Sequence, residues 1–485
     1  MLKQRRFLLR AFNLMVALLL SASCAAPPRL ITLTSSSPTA ISTQSISTST
    51  LLPSPATRSP SEPTLTGPIA PEVRAWLREN AIPFDTTDPN ADFEDLMPLK
   101  ELIGDARIVA LGEATHGTHE FSELKHRMLR FLVEEMGFNT FAIETSWAET
   151  NLINDYVRTG QGDPAKLMQE FFGWSGNTQE VLDMVLWMRA HNENPGDAPQ
   201  VSFYGFDTQF YEMAMEDVFA YLEQVDPERL AETTRLYYCF SPDRTRLYAG
   251  SSKESKANCR ANLQAVYDQL SQRRSEYEAR SSPEAFARAL QSARIVLQVE
   301  HQVSLGDQDY LVRDQYMAEN AGWLLDQAGP GGKIVLWAHN GHVATSASGF
   351  KPMGAYLRER YRDEMVVFGF SFYEGRFNSR LLADTAQMGD EPTNLMEFAV
   401  AMPPEDSYES YFRSTDLPRF FLDLRRLPSD PAVRDWVSTP HPFRSLGAAY
   451  RPSTPEDFIE PARLPEQYDV MIYFQDTSPS LILDQ

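Results

Sequence analysis

Six short apolar runs constrain this chain more than any other feature, because each is continuous rather than alternating. Residues 107–111 lead into Gly112 and Glu113, 140–143 end at Glu144, 201–206 end at Asp207, and 333–338 end at His339; 366–370 and 470–474 complete the set. A strand solvated on one face alternates apolar and polar residues, whereas a strand covered on both faces need not. The runs therefore predict a mostly parallel central sheet flanked by helices. Helix-period segments fill the gaps, which makes the fold class α/β.

Two of those helices are clear. Residues 120–136 place Phe121, Leu124, Met128, Phe131 and Leu132 near one face, and Gly137 can close the end. Residues 178–191 begin at Thr178, a candidate N-cap, and carry Val181, Leu182, Val185 and Leu186 as an apolar stripe. His119 and His126, on or beside the first helix, read as solvated. From about 211 to 327 the pattern is almost wholly helical and reads as an insertion or subdomain. It holds Cys239 and Cys259, which either pair in an oxidising compartment or stand as buried thiols.

The first 24 residues read as an address. Lys3, Arg5, Arg6 and Arg10 precede an apolar run too short to span a bilayer comfortably. Leu20-Ser21-Ala22-Ser23-Cys24 then resembles a bacterial lipoprotein processing site, with Ser21 where Leu is usual. The expectation is lipidation of Cys24 and display outside the cytoplasm, anchored to the cell membrane; a plain secretory signal or a signal anchor is the alternative. Residues 25–70 form a tether, more than half Ser, Thr and Pro, with too little apolar surface to offset the entropy of ordering. The folded body is then 71–485. No acid precedes Glu62, so the excess of 66 Asp and Glu over 44 Lys and Arg falls on that body. Affinity for nucleic acid comes from Lys and Arg on phosphates, so no nucleic-acid partner is expected. Three cysteines are too few for a disulfide scaffold or a four-cysteine zinc site.

Glu113, Glu144, Asp207 and His339 each fall at or just past the C-terminal end of a predicted strand, the edge of an open α/β sheet where ligands bind. The densest motif is Gly112-Glu113-Ala114-Thr115-His116-Gly117-Thr118-His119-Glu120-Phe121, with Glu113 and His116 three apart and two glycines that allow tight backbone geometry. The second is Trp337-Ala338-His339-Asn340-Gly341-His342-Val343, with two His three apart. The aromatic run Phe171-Phe172-Gly173-Trp174 either packs in the core or lines a cleft.

These residues resemble the erythromycin esterase family. The resemblance extends through Phe141-Ala142-Ile143-Glu144, Asn177-Thr178-Gln179-Glu180, Phe203-Tyr204-Gly205-Phe206-Asp207, Arg313-Asp314-Gln315-Tyr316 and Met353-Gly354-Ala355-Tyr356-Leu357. It implies a metal-independent esterase that opens a macrolide lactone with water. By that resemblance His116 is the general base, and Glu113, Glu144, His339 and His342 fall on the other active-site positions. Lys125 stands where the family's characterised esterases carry an arginine, a change that keeps the charge and loses the bidentate fork.

The chemistry of the residues agrees. Ester hydrolysis needs a base near neutral pKa, which a His with an orienting carboxylate supplies. His339 or His342, if protonated, or Lys125 is a candidate for the developing oxyanion. Asp207 and Arg313 are candidate substrate contacts, with a buried ion pair as their commoner role. No Gly-x-Ser-x-Gly elbow occurs, which favours direct attack by water over a serine nucleophile. No cofactor is expected; a divalent metal on Glu113, His116, Glu144, His339 and His342 is the rival, with a spacing unlike the helical zinc motifs. The substrate is expected to be a small-molecule ester or lactone. An ester of a cell-envelope glycan or other secondary metabolite, or a binding lipoprotein without turnover, remain the alternatives.

Overall fold

The computed structural model describes residues 69–384, 393–426 and 428–483. The signal, the candidate lipidation site Cys24 and the tether up to residue 68 lie outside the described residues. Among the described residues the strands are β1 (Ala81–Pro83), β2 (Ile108–Leu111), β3 (Thr140–Ser146), β4 (Ser202–Asp207), β5 (Ile334–Trp337), β6 (Met365–Leu381), β7 (Leu395–Ala399), β8 (Arg419–Asp423), β9 (His441–Arg444), β10 (Ala449–Tyr450), β11 (Ile459–Ala462) and β12 (Val470–Thr477). The main sheet runs in the order β1-β8-β12-β6-β2-β5-β3-β4. Its pairings from β12 to β4 are all parallel, while β8 and β1 close one edge in antiparallel sense.

The continuous apolar runs have a simple physical reason. Successive side chains of a strand point to opposite faces, and here both faces are covered. Ile108 and Ala110 of β2 enter one core, while Val109 and Leu111 enter the other. Ile334 and Leu336 of β5 divide from Val335 and Trp337 in the same way. The first core also takes Ala214, Val218, Leu263, Val296 and Leu325 from the helices between β4 and β5. The second takes Leu124, Phe131, Val181 and Met188 from helices His119–Met136 and Gln179–Glu193.

Several sequence expectations need correction. Strand β6 continues to Leu381, well beyond residue 370, because β7, β10 and β12 pair with its later half. Leu186 is exposed rather than part of the buried stripe, and Met184 and Met188 pack in the core of that helix instead. His126 is buried, not solvated, because helix His119–Met136 is packed on more than one side. His119 is only half-exposed and lies between Glu123 and Glu180. The helical segment does form, from Glu212 to Gln327, and Cys239 and Cys259 are joined in a disulfide.

Candidate active site

The four neighbouring parallel strands β2, β5, β3 and β4 deliver their C-terminal ends side by side. Glu113 and His116 follow β2, His339 and His342 follow β5, Glu144 lies within β3, and Asp207 ends β4. Arg313 comes from helix Tyr310–Gln327, which packs across these strands. Gly112 and Gly117 matter for closeness rather than for unusual torsion. A Cβ at Gly112 would collide with the Asn340 side chain, and one at Gly117 with the Asn378 carbonyl.

His116 and Glu113 form the first half of the site. Nδ1 of His116 lies 2.6 Å from Oε1 of Glu113. The other carboxylate oxygen accepts from Lys125 Nζ at 2.6 Å and from Trp337 Nε1 at 2.7 Å. Burial alone would raise the Glu113 carboxyl, but the Lys125 ammonium and the His116 imidazole reverse this and bring it down to about 2. Glu113 is therefore a fixed anion. Burial likewise opposes charge on His116, yet the bond to Glu113 and the fields of Glu113 and Glu144 carry its pKa above 6.5. With Nδ1–H directed at a carboxylate, Nε2 is the basic nitrogen, and it makes no hydrogen bond among the described residues. Trp174 meets the ring at a right angle, 6.3 Å between centroids, whereas Phe172 of the same aromatic run packs in the core and Phe171 against it.

Arg313, Glu144 and His342 form the second half. Arg313 grips Asp207 with Nε at 3.1 Å and Nη2 at 2.6 Å, and donates from Nη2 to Glu144 Oε1 at 3.0 Å. The other Glu144 oxygen accepts the backbone N–H of His339 at 2.9 Å. Burial works against the Glu144 anion, and His342, His116 and Arg313 together hold its pKa far below the usual carboxylate range. His342 places Nδ1 2.9 Å from Asp314 and Nε2 between Arg313 Nη1 at 3.2 Å and Glu144 at 3.4 Å. A neutral ring donates to Asp314 and accepts from Arg313, while a protonated ring turns Nε2–H to Glu144. Burial and the Arg313 charge lower its pKa, but Glu144 and Asp314 together outweigh them and the net shift is upward.

Three assigned roles change with the geometry. His339 is not a proton carrier, because both ring nitrogens are engaged by backbone. Nδ1 accepts from Gly341 N–H at 3.1 Å, capping the short helix Asn340–Val343, and Nε2 donates to the Leu446 carbonyl at 3.2 Å. Burial and the nearby charge of His116 push its pKa down to about 3, so the ring is neutral. Lys125 is sealed from solvent over the Trp337 ring and acts on Glu113 rather than on a ligand; burial lowers its pKa to about 8. Asp207 is fully buried behind Arg313, which leaves Arg313, partly exposed, as the group of that pair able to meet a ligand. Sequence reasoning passed over Asp314, Trp337 and the Leu446 carbonyl. Asp314 and Trp337 lay inside quoted motifs, whereas Leu446 carries no signal because only its backbone takes part.

Among the described residues no group of three or more His, Cys, Asp and Glu side chains is arranged to hold a metal ion. A cavity of about 740 Å³ opens away from these groups, among Thr140, Ser202, Tyr204 and Trp323 near the opposite ends of β3 and β4. Chemistry rather than volume therefore marks the site.

Residues 133–477 match the family model described as erythromycin esterase. The chain belongs to the erythromycin esterase family. The Bacillus subtilis (strain 168) protein YbfO is 26% identical over 84% of this chain and 92% of its own length. Erythromycin esterase type II of Escherichia coli is 26% identical over 73% of this chain and 89% of its own. A crystal structure of a Bacillus cereus protein, 29% identical, covers 85% of this chain and 99% of that one with a TM-score of 0.74. Membership supports a hydrolase of this family.

Proposed function

We propose that the chain is a carboxylic ester hydrolase that opens a lactone or ester with water, using His116 as general base. The observation that carries this is the His116–Glu113 contact of 2.6 Å, which leaves Nε2 as the basic nitrogen on a partly exposed ring. Water gives a proton to Nε2 as its oxygen attacks the acyl carbon. Glu113 holds Nδ1–H and stabilises the imidazolium, while Lys125 and Trp337 hold Glu113. The oxyanion of the tetrahedral intermediate is met by the Arg313 guanidinium, with His342 beside it. On collapse the acyl–oxygen bond breaks, and the proton on His116 passes to the departing alkoxide. The proposal runs through imidazole, guanidinium and carboxylate groups, without a cofactor.

The substrate proposed is a macrolide lactone, the class named in the Escherichia coli relative. The compartment proposed is extracytoplasmic, with the chain held to the membrane through Cys24; the Cys239–Cys259 disulfide supports an oxidising setting. The test is incubation with erythromycin, followed by mass spectrometry for the gain of one water, beside a His116→Ala control and a panel of glycan and aryl esters. Turnover of esters but of no macrolide would remove the substrate assignment. Turnover untouched by His116→Ala would remove the mechanism.

A further inference from the structure

The segment that follows β12, residues 478–483, runs across the starts of two helices that are distant in sequence. It meets both in the same way, at a spacing of three residues. The helix His119–Met136 begins Gly117-Thr118-His119-Glu120, and the helix Gln179–Glu193 begins Asn177-Thr178-Gln179-Glu180. At the first, Thr118 pairs with Pro479, His119 N–H donates to the Ser478 carbonyl at 2.9 Å, and Ser480 N–H donates to the Gly117 carbonyl at 3.0 Å. At the second, Thr178 pairs with Ile482, Gln179 N–H donates to the Leu481 carbonyl at 2.7 Å, and Leu483 N–H donates to the Asn177 carbonyl at 3.1 Å. A glutamate completes each set. Glu120 accepts from Ser478 N–H at 2.8 Å, and Glu180 accepts from Leu481 N–H at 2.9 Å.

The physical logic is that of helix ends. The first N–H groups of a helix have no partner within it, and buried ones need an acceptor from elsewhere. One extended segment supplies carbonyls to both ends, and each helix returns a carboxylate to the segment's own N–H. The consequence lies one residue away. Gly117, gripped by Ser480 and also by Asn378 N–H at 2.9 Å, adjoins His116. Asn177, gripped by Leu483, is three residues from Trp174, whose ring meets that of His116 at a right angle.

We infer that residues 478–483 are a strap that sets the position of His116, with Glu120 and Glu180 as positioning residues that anchor it. This rests on the reading of His116 as the base. If the strap is slack, the loop 112–118 loses its outer restraint and the contact of His116 with Glu113 lengthens. The ring then titrates nearer to an ordinary histidine, and a misplaced base slows turnover without removing the ligand contacts.

The test is direct titration of the His116 imidazole by NMR in the full chain, which needs no substrate. It compares Glu120→Ala, Glu180→Ala and the double variant with Glu120→Gln and Glu180→Gln, and with Glu135→Gln as a remote control. In the folded double alanine variant the His116 midpoint should fall measurably from its wild-type position toward that of an ordinary histidine. On an ester that turns over, kcat should drop by about tenfold or more with KM changed by less than about threefold. The glutamines keep an acceptor but not the charge, so they should restore the wild-type midpoint. A midpoint unmoved in the double alanine variant overturns the inference, as does an equal shift in the glutamine variants, which would mean a distant charge effect alone. Should the double variant not fold, each single alanine decides by the same criteria. If His116→Ala retained full hydrolysis, the base assignment would fail, while the titration would still judge the strap by itself.

Discussion

His116 and His339 face each other with ring centroids 5.2 Å apart, yet their surroundings shift their pKa values in opposite directions, His116 upward and His339 downward. His116 has a carboxylate at one nitrogen, while His339 has backbone at both. The two should therefore respond differently to substitution. His116→Ala should lower kcat/KM by roughly 10²–10⁴-fold, the usual worth of a positioned base. His339→Asn, which can still accept from Gly341 N–H, should keep turnover within about tenfold of wild type, while His339→Ala should cost about 1 kcal/mol of stability through the lost cap. Steady-state kinetics and urea unfolding separate these outcomes. Glu113→Gln should both abolish the pKa lift on His116 and destabilise the fold by on the order of 3 kcal/mol, because it strands the buried Lys125 charge. Lys125 can relieve part of that by releasing its proton, its pKa already being down at about 8. In the sequence the two histidines looked alike, since each follows a strand by a few residues. What distinguishes them is which backbone groups come within reach, and a sequence pattern does not carry that.

The elements were legible wherever a local rule governs them. The buried strands showed as apolar runs, Thr178 does cap its helix by accepting from Val181 N–H, and Gly137 ends helix His119–Met136 in a left-handed turn at φ 73°. Elements held by distant partners were not legible. The later half of β6 and the strap 478–483 gain their form from residues about 20 to 360 positions away. The disulfide joins Cys239, just after helix Pro227–Tyr237, to Cys259 within helix Lys253–Gln272. A bridge closing a loop of this size typically contributes about 2–4 kcal/mol. Reduction should therefore lower the unfolding temperature, and Cys239→Ser with Cys259→Ser should reproduce that shift without reductant. An unfolding temperature indifferent to both would show that the bridge adds nothing to the helical segment.

Across the molecule, buried titratable groups fix how stability responds to acid. Glu149, whose carboxyl burial raises to about 7, adds a modest gain as pH falls toward 4.5, against the larger losses that follow. His126 and His339 are held neutral, each with its pKa pushed down to about 3 by burial, His126 with help from Arg130 and His339 from His116. Their contribution is complete above 6.5 and is lost as pH falls from there toward 3. Glu113, ordinarily near 4.5 and lowered to about 2, adds a second loss between those values. Unfolding free energy should thus decline in two overlapping stages, and His126→Gln should flatten the first when urea midpoints are followed against pH. The sheet order explains why the site could only be outlined from sequence. Insertion of β5 between β2 and β3, after the whole helical segment, is what brings His339 and His342 beside Glu113 and Glu144.

The most direct measurement is kcat/KM against pH on one ester that turns over, set beside the NMR titration of His116 in the same protein. A base must be neutral to accept a proton, so activity should rise with pH through a midpoint above 6.5 that coincides with the His116 titration, and His116→Ala should lose that limb along with most of its rate. A profile that follows some other group, or a His116→Ala enzyme as fast as wild type, would contradict the assignment of His116 and Glu113 as the pair that activates water.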